Sequence, residues 1–214
     1  MKTFIFYFFL FFLYAVLGWI IETIYVTILD KKFVNRGFLI GPYIPLYGVS
    51  AITMILYLNQ YKTNPLTVFL LAIFVCTFLE YITSYIMEKI FKARWWDYTN
   101  QKFNINGRVC LKNSLYFGIL SLLLIYLINP LLINLINNMN NILLTIITIV
   151  CLTIFITDIF ISCNVILKLK HNFENLRFDA TMELRKLIDI KIKRKILQNR
   201  IYNTFPKLKF HKKK

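Results

Sequence analysis

Four carboxylic acids stand within long apolar runs of this sequence: Glu22, Glu80, Glu88 and Asp158. On insertion scales a charged side chain at the bilayer centre costs about 2.5–3.5 kcal/mol, so acids kept there pair, relay protons or bind. Glu80, Ser84 and Glu88 recur at i, i+4 and i+8 and would share one helix face. A second concentration of unusual chemistry runs from Gly37 to Gly48. It holds Gly37, Gly41 and Gly48, the prolines Pro42 and Pro45, and the tyrosines Tyr43 and Tyr47. Proline removes a backbone donor and clashes with the preceding turn, so the segment predicts a helix interrupted between Gly41 and Gly48. Irregular backbone at membrane depth survives only against protein or a wet cavity, and transporters use it to offer bare backbone groups to substrates. A third stretch, Trp95-Trp96-Asp97-Tyr98, reads as an interfacial aromatic anchor in which Trp96 and Asp97 are structural. Arg108 follows, placed to meet a membrane carboxylate or an anionic headgroup.

These residues need elements to hold them. A membrane helix requires roughly 20 mostly apolar residues. Five stretches meet that length: Phe4 to Leu29, Gly37 to Leu58, Leu66 to Ile90, Leu115 to Ile136 and Ile142 to Leu167. The expected fold class is therefore all-α, a transmembrane bundle over residues 1–167 with a basic tail over 168–214. Of the 26 Lys and Arg residues, two fall at the N-terminus and in the second and fourth loops. The other 24 fall in the first and third loops and the tail. Basic residues stay in the cytoplasm, so the N-terminus is expected outside and the C-terminus inside a plasma membrane. Glu22, Glu80 and Asp158 then lie about two-thirds along spans that run the same way, which predicts one polar chamber opening inward. Glu22, Glu80 and Arg108 are expected to form its site, with Asp158 joining from the fifth span. Tyr43, Tyr47 and Glu88 are further candidate binding residues. Each acid also has a purely structural reading, as the partner of Arg36, Arg94 or Arg108.

Composition narrows the function classes. The 214 residues are 58% hydrophobic and 17% charged, with a net charge of +16. Because the basic residues flank apolar spans, the charge points to membrane lipid as the partner and away from nucleic acid. Cys76, Cys110, Cys151 and Cys163 have no C-x-x-C spacing, and His171 and His211 lie in the tail, so no metal site or cofactor is expected. In the tail, Asp179 can cap an amphipathic helix through Ile201 that lies on anionic lipid, or the tail is simply solvated.

Five strings carry a family resemblance: Gly18-Trp19-x-x-Glu22, the run from Asn35-Arg36-Gly37 to Tyr47-Gly48, Glu80-Tyr81-x-x-Ser84-x-x-Met87-Glu88, Trp95-Trp96-Asp97-Tyr98, and Asn106-Gly107-Arg108-x-Cys110-Leu111. Together they resemble the CmpB-like integral membrane family, labelled ABC-transporter permease, type IV. The resemblance covers roughly residues 10 to 165 and implies a transport component. No G-x-x-x-x-G-K-[ST] is present, so ATP-driven transport would need a separate ATPase subunit. A carrier using a protonatable acid is equally open, as is a homo-oligomer. Two other classes stand beside it: a membrane enzyme on lipid-linked substrates, and an accessory or scaffold protein. No catalytic residue is assigned, because the spans hold no nucleophile–base pair; the sequence argues more against an enzyme than for one.

Overall fold

The computed structural model describes residues 2–31, 33, 35–176 and 209–210. The chain is a bundle of five helices: α1 (Lys2–Asp30), α2 (Pro45–Leu58), α3 (Pro65–Phe91), α4 (Leu111–Asn137) and α5 (Asn141–Leu176). Four of them are long and apolar enough to cross a membrane: Lys2–Leu29, Pro65–Phe91, Leu111–Asn137 and Asn141–Leu167. Their outward faces carry large apolar side chains in the open, such as Phe74 at 70% and Phe160 at 67% exposure. Patches of that kind are a liability in water and the normal surface in lipid. The chain is a multi-pass membrane protein.

The second expected span is corrected in part. The Gly37 to Leu58 stretch is helical only from Pro45 onward, and residues 37–44 are irregular. Pro45 occupies the first turn, where a missing N–H costs nothing and the fixed φ suits the helix. The remaining 14 residues reach roughly 21 Å at about 1.5 Å each, short of a hydrocarbon core of about 30 Å. The other helices overrun their expected limits by a few residues, most at the start of α4 and the end of α5. The predicted amphipathic tail helix falls on residues 177–208, which lie outside the described residues.

Local signals set the helix ends. Asn64 accepts from the amides of Leu66 and Thr67 at 3.1 and 3.2 Å, and Pro65 opens α3. Lys92, left-handed at φ 54°, closes α3 by returning its amide to the Glu88 carbonyl. Within α4, residues Leu124–Ile128 form a π-turn. At one end of the bundle Phe9, Leu10 and Tyr14 of α1 pack with Ala51, Ile136 and Leu144. Next to it, Met54 and Leu58 of α2 meet Val68, Ala72 and Ile125. The opposite end carries the α1–α2 and α3–α4 connections. There β2 (Asn104–Ile105) pairs antiparallel with β3 (Val109–Cys110), and β1 (Ala93–Arg94) pairs antiparallel with β4 (Lys209–Phe210). Residues Lys209 and Phe210 thus lie against the α3–α4 connection.

Candidate functional site

The irregular stretch from 37 to 44 packs between helices, so its backbone groups need partners within the protein. The Ile44 amide donates to the Ala15 carbonyl of α1 at 2.9 Å. The Tyr43 amide donates to the Gly41 carbonyl at 2.9 Å, and Asp158 of α5 takes two more amides. Its carboxylate accepts from the Ile40 amide at 2.9 Å, the Gly41 amide at 2.7 Å, the Tyr43 hydroxyl at 2.6 Å and the Ser162 hydroxyl at 2.8 Å. Four donors on two oxygens describe an acceptor-only group. Leu39 and Tyr43 pack beneath it against Ala15, Phe12 and Phe155. A Cβ on Gly41 would overlap the Tyr43 ring, which explains the glycine there. Asp158, expected to join the polar chamber, and Tyr43, a further candidate binding residue, are hydrogen-bonded to each other and to the broken segment. Residue numbers set the depth of Asp158 but not the side of α5 it faces.

Glu22 and Glu80 do come to one place. Both line a cavity of about 480 Å³ with Arg36, Tyr47, Tyr98 and Lys112, a volume within the usual range for ligand sites. A smaller recess beside it also touches Glu22, Arg36, Tyr47, Glu80 and Tyr98. Glu22 accepts from the Tyr47 hydroxyl at 2.9 Å and lies 3.7 Å from Arg36 Nε. Trp19 holds this corner by donating its indole N–H to Asn35 Oδ1 at 2.8 Å. A Cβ on Gly18 would strike the Tyr47 ring, so glycine is what lets α2 approach α1 closely enough for Tyr47 to reach Glu22. Gly37, at φ 105°, makes the turn that carries Arg36 inward.

Glu80 is 5% exposed. The Tyr98 hydroxyl donates to its Oε1 at 3.3 Å, while its Oε2 is buried with no hydrogen-bond partner among the described residues. Tyr98 is fixed by its own amide, which donates to the Gly107 carbonyl at 2.8 Å. Burial pushes the Tyr98 phenol well above its ordinary range, and the Glu80 and Glu22 carboxylates push the same way. It is therefore a proton donor at neutral pH. From the polar cavity an apolar arm of about 160 Å³ runs between α1, α2 and α4, past Tyr14, Leu17, Met54 and Ser121. Arm, cavity and recess share Tyr47, Glu80 and Phe117.

Arg108, expected beside Glu22 and Glu80, is engaged elsewhere. Its guanidinium lies 2.6 Å from Glu88 and 3.3 Å from Ser84 Oγ, over the rings of Tyr81 and Tyr85 at 5.7 and 5.5 Å. Arg94 also reaches Glu88, at 3.4 Å, and Asp97, at 3.8 Å. The Glu80–Ser84–Glu88 face is thus divided. Its first member faces the cavity, and the other two receive the loop that carries Arg108. Trp96 donates its indole N–H to the Arg108 carbonyl at 2.9 Å, and Asn106 donates to the Tyr81 hydroxyl at 2.9 Å. Trp95 is buried against Phe38 and Phe91, so the aromatic pair closes the bundle end more than it anchors in headgroups. Pro42, Pro45 and Gly48 shape the α2 entry; a Cβ on Gly48 would press on Phe11. Reasoning from sequence missed Arg36, Tyr98 and Phe117 as cavity residues. Arg36 counts as a loop charge until the irregular segment is seen to bend it inward. Among the described residues no cluster of three or more His, Cys, Asp or Glu is placed to hold a metal ion.

A family model described as "Putative ABC-transporter type IV" matches residues 9–163, well over half of the chain. That stretch includes the cavity, the Asp158 staple and the Arg108–Glu88 pair. No curated protein and no solved structure matches the chain.

Proposed function

The chain belongs to the ABC-transporter type IV family, and on that premise we propose that it is the membrane-embedded permease component of a transporter. Its substrate site is the cavity of Glu22, Arg36, Tyr47, Glu80 and Tyr98. The observation that carries this reading is Glu80, a buried acid with one oxygen left unpaired at the junction of a polar cavity and an apolar arm. A carboxylate in that position is expensive unless something comes to meet it. ATP-driven movement requires a separate ATPase subunit, since the sequence has no P-loop.

The same reading gives the chain five passages of the membrane. Residues 37–44 and the short α2 together make the second, with the N-terminus outside and the tail in the cytoplasm. The 24-to-2 partition of basic residues supports that direction. A permease must expose its site to each side in turn. With the native cysteines replaced, Ser50→Cys in the apolar arm reports on this. A membrane-impermeant thiol reagent is expected to modify it from either face of sealed vesicles when ATP and the native membrane complement are present. Modification from one face alone, with and without ATP, would refute the permease reading and favour a one-sided enzyme or sensor pocket.

A further inference from the structure

We propose that the cavity takes an amphiphile with a cationic, hydrogen-bond-donating head: a protonated amine on a medium-length alkyl chain. The proposal rests on the permease reading of the same cavity and names its substrate class. Two features of opposite character meet at Glu80. On one side is the polar cavity, and on the other the apolar arm lined by Tyr14, Leu17, Met54 and Phe117. The arm extends along α1 from Tyr14 to Ile21, roughly 10 Å of depth at about 1.5 Å per residue. That length suits an alkyl chain, and the mostly apolar lining offers a compact polar solute little to bind.

The head chemistry follows from which acid is satisfied. Glu22 already has the Tyr47 hydroxyl and Arg36. Glu80 has only the Tyr98 phenol, on one oxygen, and no Lys or Arg among the described residues forms an ion pair with it. Its Oε2 has no partner among the described residues, 95% of the residue is buried, and it lines the arm as well as the cavity; a cation beside it would hold the carboxyl ionised and make this oxygen an acceptor. A protonated amine supplies both the donor and the charge this oxygen lacks, in a site dry enough for the pair to be strong. The rings of Tyr47 and Phe117 stand at the same junction, where aromatic faces favour a cation. A carboxylate or phosphate head would instead leave this carboxyl without a counter-charge.

The test uses the full chain in nanodiscs of neutral lipid, with Ser50→Cys as the only cysteine and protection from a thiol reagent as readout. Dodecylamine, dodecanol, dodecanoate and butylamine are compared. Dodecylamine is expected to protect at a concentration at least tenfold lower than dodecanol or dodecanoate, and butylamine not to protect. Glu80→Gln should bring dodecylamine to the level of dodecanol, whereas Glu80→Asp should keep the preference and so control for folding. Equal protection by dodecanoate or dodecanol, or a preference unchanged in Glu80→Gln, would overturn the proposal. Loss of the amine preference with labelling still reaching Ser50→Cys from both faces removes the head-group assignment and leaves the permease reading standing. One-sided labelling with the preference intact does the reverse.

Discussion

Removing the Asp158 carboxylate should loosen the whole irregular segment from 37 to 44. In Asp158→Ala three donors lose their acceptor: the Ile40 amide, the Gly41 amide and the Tyr43 hydroxyl. Ser162 is spared, because a helical serine can turn to the carbonyl four residues back. An orphaned buried donor costs about 1–3 kcal/mol. Taking the lower half of that range, since the vacated space admits water, gives roughly 3–6 kcal/mol for three. For a chain of this size each kcal/mol moves Tm by about 2–4 °C, so a fall on the order of 10 °C is expected. Asp158→Asn should cost about half as much, because its oxygen still accepts while its amide nitrogen turns a donor toward donors. The measurement is thermal unfolding of the purified protein in detergent, followed by size-exclusion chromatography with fluorescence detection. A Tm within about 2 °C of the parent for Asp158→Ala would refute the staple and the account of how the broken segment is held.

Other outcomes follow from the same geometry. Glu88→Gln removes the carboxylate paired with Arg108 and one of the two paired with Arg94, and breaking a largely buried pair costs about 3–5 kcal/mol, so it should lower Tm more than Glu22→Gln, whose pair is about 30% exposed. Gly18→Leu should force α2 away from α1 and destabilise by about 1–3 kcal/mol, whereas Gly18→Ala, measured in parallel, should give a smaller loss. In intact cells an impermeant thiol reagent should modify Asn138→Cys and spare Asn100→Cys; the reverse pattern would invert the proposed orientation. Tyr98→Phe removes the donor to Glu80 Oε1 and should weaken dodecylamine protection less than Glu80→Gln does, because the charge remains.

Much of the architecture was legible because hydrocarbon is an undemanding reader of sequence. Twenty apolar residues make a span whatever their order. The Pro and Gly residues between 37 and 48 likewise announced broken helix, though not that the helix would begin cleanly at Pro45. Depth along a helix could be counted from residue numbers, and Glu22 and Glu80 do share a cavity. What counting could not supply is azimuth. Asp158 lies at a comparable depth yet faces the irregular segment from the far side, on the face it shares with Ser162. Arg108 could not be assigned between Glu80 and Glu88, eight residues apart on one face. The choice depends on the turn at Asn106 and Gly107, both at positive φ, which carries the loop back onto α3. Pairings across loops of this kind are fixed by tertiary geometry and not by spacing.

The π-turn in α4 works as a phase shifter. One surplus residue in a helix rotates everything beyond it by about 100° relative to an unbroken spiral. Before the turn, Ser114 and Gly118 mesh with α3, through the Thr77 hydroxyl at 2.8 Å and the Phe69 ring. Beyond it, Asn129 receives the Tyr14 hydroxyl at 3.1 Å, and Ile136 enters the α1 cluster. A single helix thereby serves two neighbours that a straight rod would have to serve with one stripe. The consequence is a rule about length: the turn absorbs one residue, so deleting one from between Leu124 and Asn129 would close it to an ordinary α-turn with the Asn129 amide still reaching the Leu124 carbonyl. Asn129 and Ile136 would keep their places on α1, whereas the same deletion in a regular turn of α4 would swing them off by about 100°.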